Sequence, residues 1–331
     1  MRVARSIRSD QRRLGLRPRN RPLRRLASAG AVRSFSPAFG TVLVAVCALH
    51  CGAELPSPAV VTKLRLLAIT TDTPELASPG PFRATAVWAD GSPRAGRAVF
   101  FHWRACPVTS QSDPRACLLP SPGLDLASIT ESLDLDTSAL PVAPALGAPP
   151  AQRWTLLLAM CPDQPPVYDA VNRQYVCPSD QSLPNEQREG IQAFRTLAVR
   201  VGATGDLQVN PSINRVTIDG MPLPTTTPLS VQRCARDADG LPACAGVPLA
   251  LVPTEGSAQT GETLMASFFV SAGSVSRPRA VASAALPSAT DGSLNTLWYP
   301  PAVPSNVRVW MVLHDGRGGD VATGPFAVTV R

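Results

Sequence analysis

Proline recurs along the whole chain, 35 residues in 331, and this constrains the fold more than any motif does. An interior proline removes a helical hydrogen bond, clashes with the preceding turn and costs a helix about 3 kcal/mol. At more than one position in ten, long helices are excluded; short strands joined by ordered loops remain. The apolar residues agree. In residues 82–89, Phe82, Ala84, Ala86 and Trp88 fall on one face of an extended chain, with Arg83 and Thr85 on the other. Residues 97–106 place Val99, Phe101 and Trp103 on one side and His102 and Arg104 on the other. Leu264, Ala266, Phe268 and Val270 alternate likewise, as do Val307, Val309, Met311 and Leu313 against Arg308, Trp310 and Val312. Alternation of period two, broken by turn residues such as Asp90-Gly91 and Asp219-Gly220, predicts antiparallel β-sheet. The expected fold is all-β: two antiparallel β-sandwich domains with long Pro-rich loops.

The N-terminal region is of another kind. Residues 39–49 form an apolar run, preceded by an Arg-rich segment and followed by Cys51, Gly52 and Ala53. That order is the order of a secretory signal, and the run is too short for a membrane span of about 20 residues. Residues 1–53 are therefore expected to be a leader and signal peptide, and the polar, Pro-rich residues 54–59 a tether. Cys51 resembles the lipid-modified cysteine of bacterial lipoproteins, with Leu49 two residues before it and Ala48 three. His50 stands where that family has a small residue. Cys47 is a second candidate, and simple cleavage after Ala53 a third. The lipoprotein resemblance implies a membrane partner through a lipid anchor and a place in the cell envelope, at the outer membrane facing periplasm or cell surface. Cleavage without lipid implies secretion.

Removing the leader reverses the charge. Residues 1–50 hold eleven Arg and one Asp, a net +10, so the chain's +7 becomes −3 without them. The basic character that would attract nucleic acid thus belongs to the discarded segment, and no nucleic-acid partner is expected. Six cysteines remain as close neighbours: Cys106 and Cys117, Cys161 and Cys177, Cys234 and Cys244. In an oxidising compartment local disulfides are the simple pairing, although six cysteines allow many others. The rival, a zinc site, has no CxxC spacing and only two distant histidines, His102 and His314, to draw on.

In chain order, residues 60–70 read as a strand with Thr62, Leu64, Leu66 and Ala68 on one face. Residues 107–152 are a Pro/Ala/Leu-rich insertion with one strand near 129–135. A strand at 154–160, a disulfide-closed loop at 161–177, a helical turn at 187–193 and a strand at 194–201 follow. Pro211 divides a first domain, 60–210, from a second, 211–331. In the second, strands are expected at 213–218, 247–252, 264–270, 294–299, 307–313 and 326–330. The stretch LAVRVGATGD (197–206) echoes VWMVLHDGRGGD (309–320), as two copies of one fold would. Residues 267–274 (SFFVSAGS), 298–301 (WYPP) and 309–330 resemble bacterial immunoglobulin-like or PKD-like domains, and residues 101–106 (FHWRAC) carry the likeness loosely into the first half. The resemblance implies an envelope module for spacing or adhesion.

Candidate chemistry is sparse. His102 and His314 read as surface histidines, and no G-x-S-x-G, H-E-x-x-H or S-x-x-K motif accompanies them. Asp315 with Asp320, and Asp237 with Asp239, offer oxygens to calcium, but a tight turn and a disulfide-closed loop explain them equally. Gly202, Gly205 and the glycines of 316–319 read as turn residues. Trp88 and Trp103 belong to the core. Trp298, Tyr299 and Trp310 are the aromatics that would stack on a sugar ring if exposed, against a simpler contact between domains. No catalytic residue, metal ligand or cofactor is assigned. The reading is a non-enzymatic envelope lipoprotein acting as a structural or interaction module, with surface glycans or envelope proteins as partners. A secreted glycan-binding or adhesin protein is the first alternative. An envelope hydrolase, needing His102 or His314 beside a carboxylate and a Ser or Thr in a cleft, is the second.

Overall fold

A computed structural model describes residues 58–108, 117–118, 123–126, 128–140, 151–184, 187–201, 207–223, 229–257, 262–283 and 294–331. Cys47, Cys51 and the glycines at 202 and 205 lie outside them. The described elements are strands joined by turns, with two short 3-10 turns at Thr137–Ala139 and Pro178–Asp180.

The first ten strands are β1 (Leu64–Thr71), β2 (Glu75–Ser78), β3 (Pro81–Asp90), β4 (Val99–Pro107), β5 (Leu124–Leu126), β6 (Ser132–Asp136), β7 (Ala151–Pro162), β8 (Val167–Asp169), β9 (Gln174–Val176) and β10 (Ile191–Val201). They make a three-stranded sheet, β1-β3-β6, facing a five-stranded one, β2-β10-β7-β4-β5; β8 and β9 form a separate hairpin. The next ten are β11 (Ile213–Ile218), β12 (Met221–Pro222), β13 (Leu229–Val231), β14 (Val247–Pro253), β15 (Thr263–Val270), β16 (Ser274–Val275), β17 (Arg279–Ser283), β18 (Leu294–Tyr299), β19 (Ser305–His314) and β20 (Asp320–Val330). Their sheets are β12-β11-β14-β18-β16 and β13-β20-β19-β15-β17.

The two sandwiches share one topology. β1, β3 and β6 correspond to β11, β14 and β18; β2, β10, β7, β4 and β5 correspond to β13, β20, β19, β15 and β17. In both, the second sheet begins with a strand that runs parallel to the last strand of the sandwich, while the other pairings are antiparallel. This is the strand order of immunoglobulin-like sandwiches, in which strands A, B and E face G, F and C. The repetition is real, but the short sequence echo is not its trace. Leu197 lies in the last strand of the first sandwich and Val309 in the penultimate strand of the second.

The alternation read from the sequence builds both cores. Phe82, Ala84, Ala86, Phe101 and Trp103 meet Trp154, Leu156, Leu158 and Leu197 in the first. Leu264, Ala266, Phe268 and Val270 meet Val307, Val309, Met311, Leu313 and Trp298 in the second. Buried indoles need a hydrogen-bond acceptor; Trp103 Nε1 donates to Thr130 O at 3.0 Å and Trp298 Nε1 to Ala272 O at 3.1 Å.

Three local expectations change. The strand at 60–70 does not keep one phase: a bulge between Leu66 and Ala68 sends Leu64 and Ile69 into the core and Leu67 and Ala68 to the opposite face. An extra residue in one strand shifts every later side chain to the other side. Residues 191–193 extend β10 rather than completing a helical turn, because they pair with β7 from Met160 to Leu158. Of the tether expected at 54–59, only residues 58 and 59 are described, and Ala59 already belongs to the folded body. Val270 donates to Ala59 O at 2.9 Å and accepts from Val61 N at 2.8 Å, and Ala59 is buried in the second core. The chain thus touches the second sandwich before it builds the first, and Pro56–Arg331 is one compact unit.

Candidate functional site

The six cysteines pair sequentially, with Cα atoms 5.3 Å apart for Cys106–Cys117, 5.4 Å for Cys161–Cys177 and 5.5 Å for Cys234–Cys244. Of the other residues marked out by sequence, Trp310, His314 and Asp320 lie where the two sandwiches meet.

The meeting surface is apolar at its centre. Val61, Leu67, Ala68 and Ala89, on the outer face of the β1-β3 sheet, pack on Phe269, Trp310 and Val312 from β15 and β19. Arg65 lies over the Phe269 ring, 5.2 Å from its centroid. Trp310 is 5 % exposed and Trp298 fully buried, so neither offers a ring face to a sugar. That correction has a plain cause: the outward phase of β19 is covered by the neighbouring sandwich, and Trp298 points into its own. Tyr299, on the opposite phase to Trp298, is half-buried and lies so close to Gly246 that a Cβ there would come within 2.9 Å of its ring. The aromatic contact between domains, weighed against sugar stacking, is what Trp310 makes.

At one edge of this surface lies a polar network that the sequence did not announce. Arg195, on β10, donates to Asp320 Oδ2, to the carbonyls of Ile69 and Gly318 and, at 3.3 Å, to Thr71 Oγ1. Its side chain is 9 % exposed. Asp320 Oδ1 lies 2.6 Å from His314 Nδ1, and His314 Nε2 lies 3.4 Å from Ser267 Oγ. Burial pushes the Asp320 carboxyl upward, but the His314 hydrogen bond and the Arg195 charge outweigh it and hold the group below its ordinary range. Asn210, between β10 and β11, donates to Thr71 O and Asp72 O and accepts from Asp320 N at 3.2 Å. Asp315 is the turn residue: its Oδ1 accepts from Arg317 N and Gly319 N, each at 2.8 Å. A Cβ on Gly319 would lie 2.1 Å from Asp315 Oδ2, so only glycine fits. Beside the network a cleft of about 530 Å³ is lined by Leu66, Ile69, Phe194, Arg153, Arg195 and Arg317.

Three of the four carboxylates weighed for calcium are engaged within the protein. Asp315 caps its own turn, Asp320 sits between Arg195 and His314, and Asp237 Oδ1 accepts from Asp239 N and Leu241 N. Among the described residues no three His, Cys, Asp or Glu side chains are grouped as a metal would need.

Neither histidine is an ordinary surface group. His102, on the outer face of β4, is covered by Tyr175 from the β8-β9 hairpin, with ring centroids 4.5 Å apart. Its Nε2 lies 2.9 Å from Tyr175 OH and 3.2 Å from Asp125 Oδ1. Burial lowers the His102 pKa, against the pull of Asp125. Arg104 adds a 2.8 Å contact to the same Asp125 oxygen. Sequence reasoning missed Arg195, Arg97 and Asn210. Arg195 shares the inward phase of β10 with Leu197 and Val199, and what a polar side chain meets there is known only once the facing element is known.

Ser267, His314 and Asp320 follow the order of a hydrolytic triad, which requires a nucleophile, a base and an orienting acid in register. Ser267, however, sits in mid-strand, flanked by β17 and β19, is buried and does not line the cleft. Asp320 is also tied to an arginine. The hydrogen bonds of Arg195 to Asp320 and Gly318 link one sandwich to the other.

No family model matches the chain, and no curated protein matches it. Among solved structures, the chain is similar to the FN1–FN3 domains of chicken CNTN1 at 7 % identity, covering 82 % of this chain and 69 % of that one with a TM-score of 0.22. The Yersinia pseudotuberculosis adhesin InvE is similar at 10 % identity over 82 % of this chain and 60 % of its own, TM-score 0.22. The fibronectin(III)-like modules of Clostridium thermocellum CbhA are similar at 10 % identity over 80 % and 93 %, TM-score 0.20. Scores this low carry nothing about function; the fold assignment rests on strand topology.

Proposed function

We propose that the protein is a non-enzymatic envelope module whose two sandwiches act as a single rigid body, held near a membrane through lipid on Cys51. One observation carries the reading. Of the side chains that sequence offered for chemistry, Trp310 and Asp320 are spent joining one sandwich to the other, and His314 is held against Asp320. Three disulfides fit an oxidising compartment. Residue 59 is already packed in the folded body, so the stretch from Gly52 to Pro58 reaches about 25 Å at most. A body on so short a lead stays close to its anchor.

Mass spectrometry of the mature N-terminus tests the anchor: a diacylglyceryl-modified Cys51 is expected, and an unmodified Glu54 terminus overturns it. Limited proteolysis near Pro211 tests the rigid body. The halves are expected to stay associated after cutting; two freely separating pieces would refute it. A hydrolase is the second reading, favoured only by the Ser267–His314–Asp320 order. A fluorophosphonate probe is expected to leave Ser267 unlabelled, and labelling abolished by Ser267→Ala would establish the hydrolase instead.

A further inference from the structure

The connection between β7 and β10 is where the two sandwiches differ most. In the second it is the turn of residues 315–319. In the first it is residues 163–190, which carry the β8-β9 hairpin and fold back over the outer face of their own sheet, with Tyr175 over His102. In immunoglobulin-like sandwiches this F–G connection, with the B–C connection beside it, is a position that tolerates length and carries recognition. Here the insertion encloses a cavity of about 460 Å³, within the usual range for small-ligand sites of about 300–1,000 Å³.

The cavity is built rather than accidental. Cys161–Cys177 pins the hairpin to β7. Arg97, from the B–C connection, pairs with Asp90 at 3.0 Å and with both oxygens of Glu189 at 2.6 and 2.9 Å, which fixes the far end of the insertion. Glu189 N and Gly190 N donate to Asp180 Oδ2 at 2.9 and 2.7 Å. A Cβ on Gly190 would fall 2.8 Å from Cys177 Sγ and 3.1 Å from Asp180 Oδ2, so the backbone approaches the carboxylate only because glycine stands there. Asp180 lines the cavity; its Oδ2 is taken by the two backbone amides, and no hydrogen bond from the described residues reaches its Oδ1. That oxygen is left to accept from a ligand donor.

Around it stand the carboxamides of Gln174, Gln181 and Gln192 and the guanidinium of Arg188. Arg188 Nε donates to Leu183 O at 3.1 Å, and Gln192 Oε1 accepts from Tyr175 N at 3.0 Å. These anchor two side chains and leave the remaining Arg188 N–H groups and the Gln192 amide NH₂ for a ligand. Gln174 and Gln181 make no hydrogen bond among the described residues. A carboxylate acceptor, amides that both donate and accept, and guanidinium donors complement a molecule whose groups do both, as hydroxyls do. We propose that this cavity binds a hydroxyl-rich ligand, a short neutral saccharide, independently of any role for Trp298 or Trp310.

Saturation-transfer NMR on the full, oxidised protein tests this, with cellobiose, maltose and N,N′-diacetylchitobiose as probes and agmatine as a cationic control. At least one disaccharide is expected to bind saturably, with a Kd on the order of 1 mM. The Gln174→Ala/Gln181→Ala double variant alters no internal hydrogen bond, and it should melt like the parent while binding about tenfold more weakly. Asp180→Asn, which turns an acceptor into a donor, should weaken binding by at least as much. No saccharide binding up to about 20 mM, equal binding by parent and double variant, or binding of agmatine alone would each overturn the assignment.

Discussion

Both sandwiches have the same strand order, and in both the outer face of the G-F-C sheet is covered, by opposite means. In the second, that face presents Phe269, Trp310 and Val312, and another sandwich covers it. In the first, it presents His102, Arg104, Gln192 and Phe194, and a disulfide-pinned hairpin of the same chain covers it. The difference follows from the side chains. An apolar face gains most from a large dry surface, which a second domain supplies. A mixed face needs polar partners placed one by one, which a local loop supplies at the cost of imperfect filling. The junction is filled at its apolar centre and open only in the cleft at its edge; the hairpin cover leaves a cavity beneath it.

Each cover can be removed separately. The largest effect is expected from Trp310→Ala, which empties the centre of the junction: a loss of about 3–5 kcal/mol, read by urea denaturation, with the halves melting apart. A variant that lost this much and still unfolded in one step would show that the apolar centre does not couple the sandwiches. Arg195→Ala leaves Asp320 buried beside His314 alone and should cost about 3 kcal/mol. Replacing Cys161 and Cys177 by serine should cost roughly 3 kcal/mol through the unfolded chain and loosen only the hairpin. Exchange protection of β8 and β9 amides should fall while that of β19 stays unchanged.

Acid should act on both covers. Asp320 at the junction and Asp90 and Glu189 at the base of the insertion are held below their ordinary ranges. For Asp90, burial raises the group but the Ser92 hydrogen bonds and Arg97 prevail; for Glu189, the Arg97 hydrogen bond leads. Depressed carboxylates contribute stability that is complete above their unfolded pKa of about 4 and is lost as pH falls through the folded values. Stability should therefore be flat near neutrality and drop below about pH 4. Asp320→Asn should shrink that drop, and an unchanged acid limb would remove Asp320 from the account. The smallest effect is expected of Tyr175→Phe. It removes one hydroxyl near His102 and should cost about 1 kcal/mol, with the His102 titration moving measurably by NMR.

What could be read in advance was whatever depends on neighbours along the chain. Proline density excluded long helices, and period-two alternation put Phe268, Met311 and Trp103 in cores. Cysteines spaced by 10 to 16 residues found the nearest partner, because a short loop holds two thiols together in nearly any fold. The repeated sandwich was legible as a class, though not through its short echo, which aligns different strands.

What surrounds a side chain was decided only by the tertiary structure. Trp310 lies on the outward phase of a good strand, which alternation assigns to solvent, and Arg195 lies on the inward phase of β10 with Leu197 and Val199, where alternation expects an apolar side chain. One is buried in a junction and the other is locked to Asp320 because another sheet packs there, and strand periodicity holds no term for a second sheet. The bulge at Leu66/Ala68 is the same limit on a smaller scale. A single inserted residue moved Ala68 from the expected core face to the interface beside Leu67, and only the pairing with β3 reveals it.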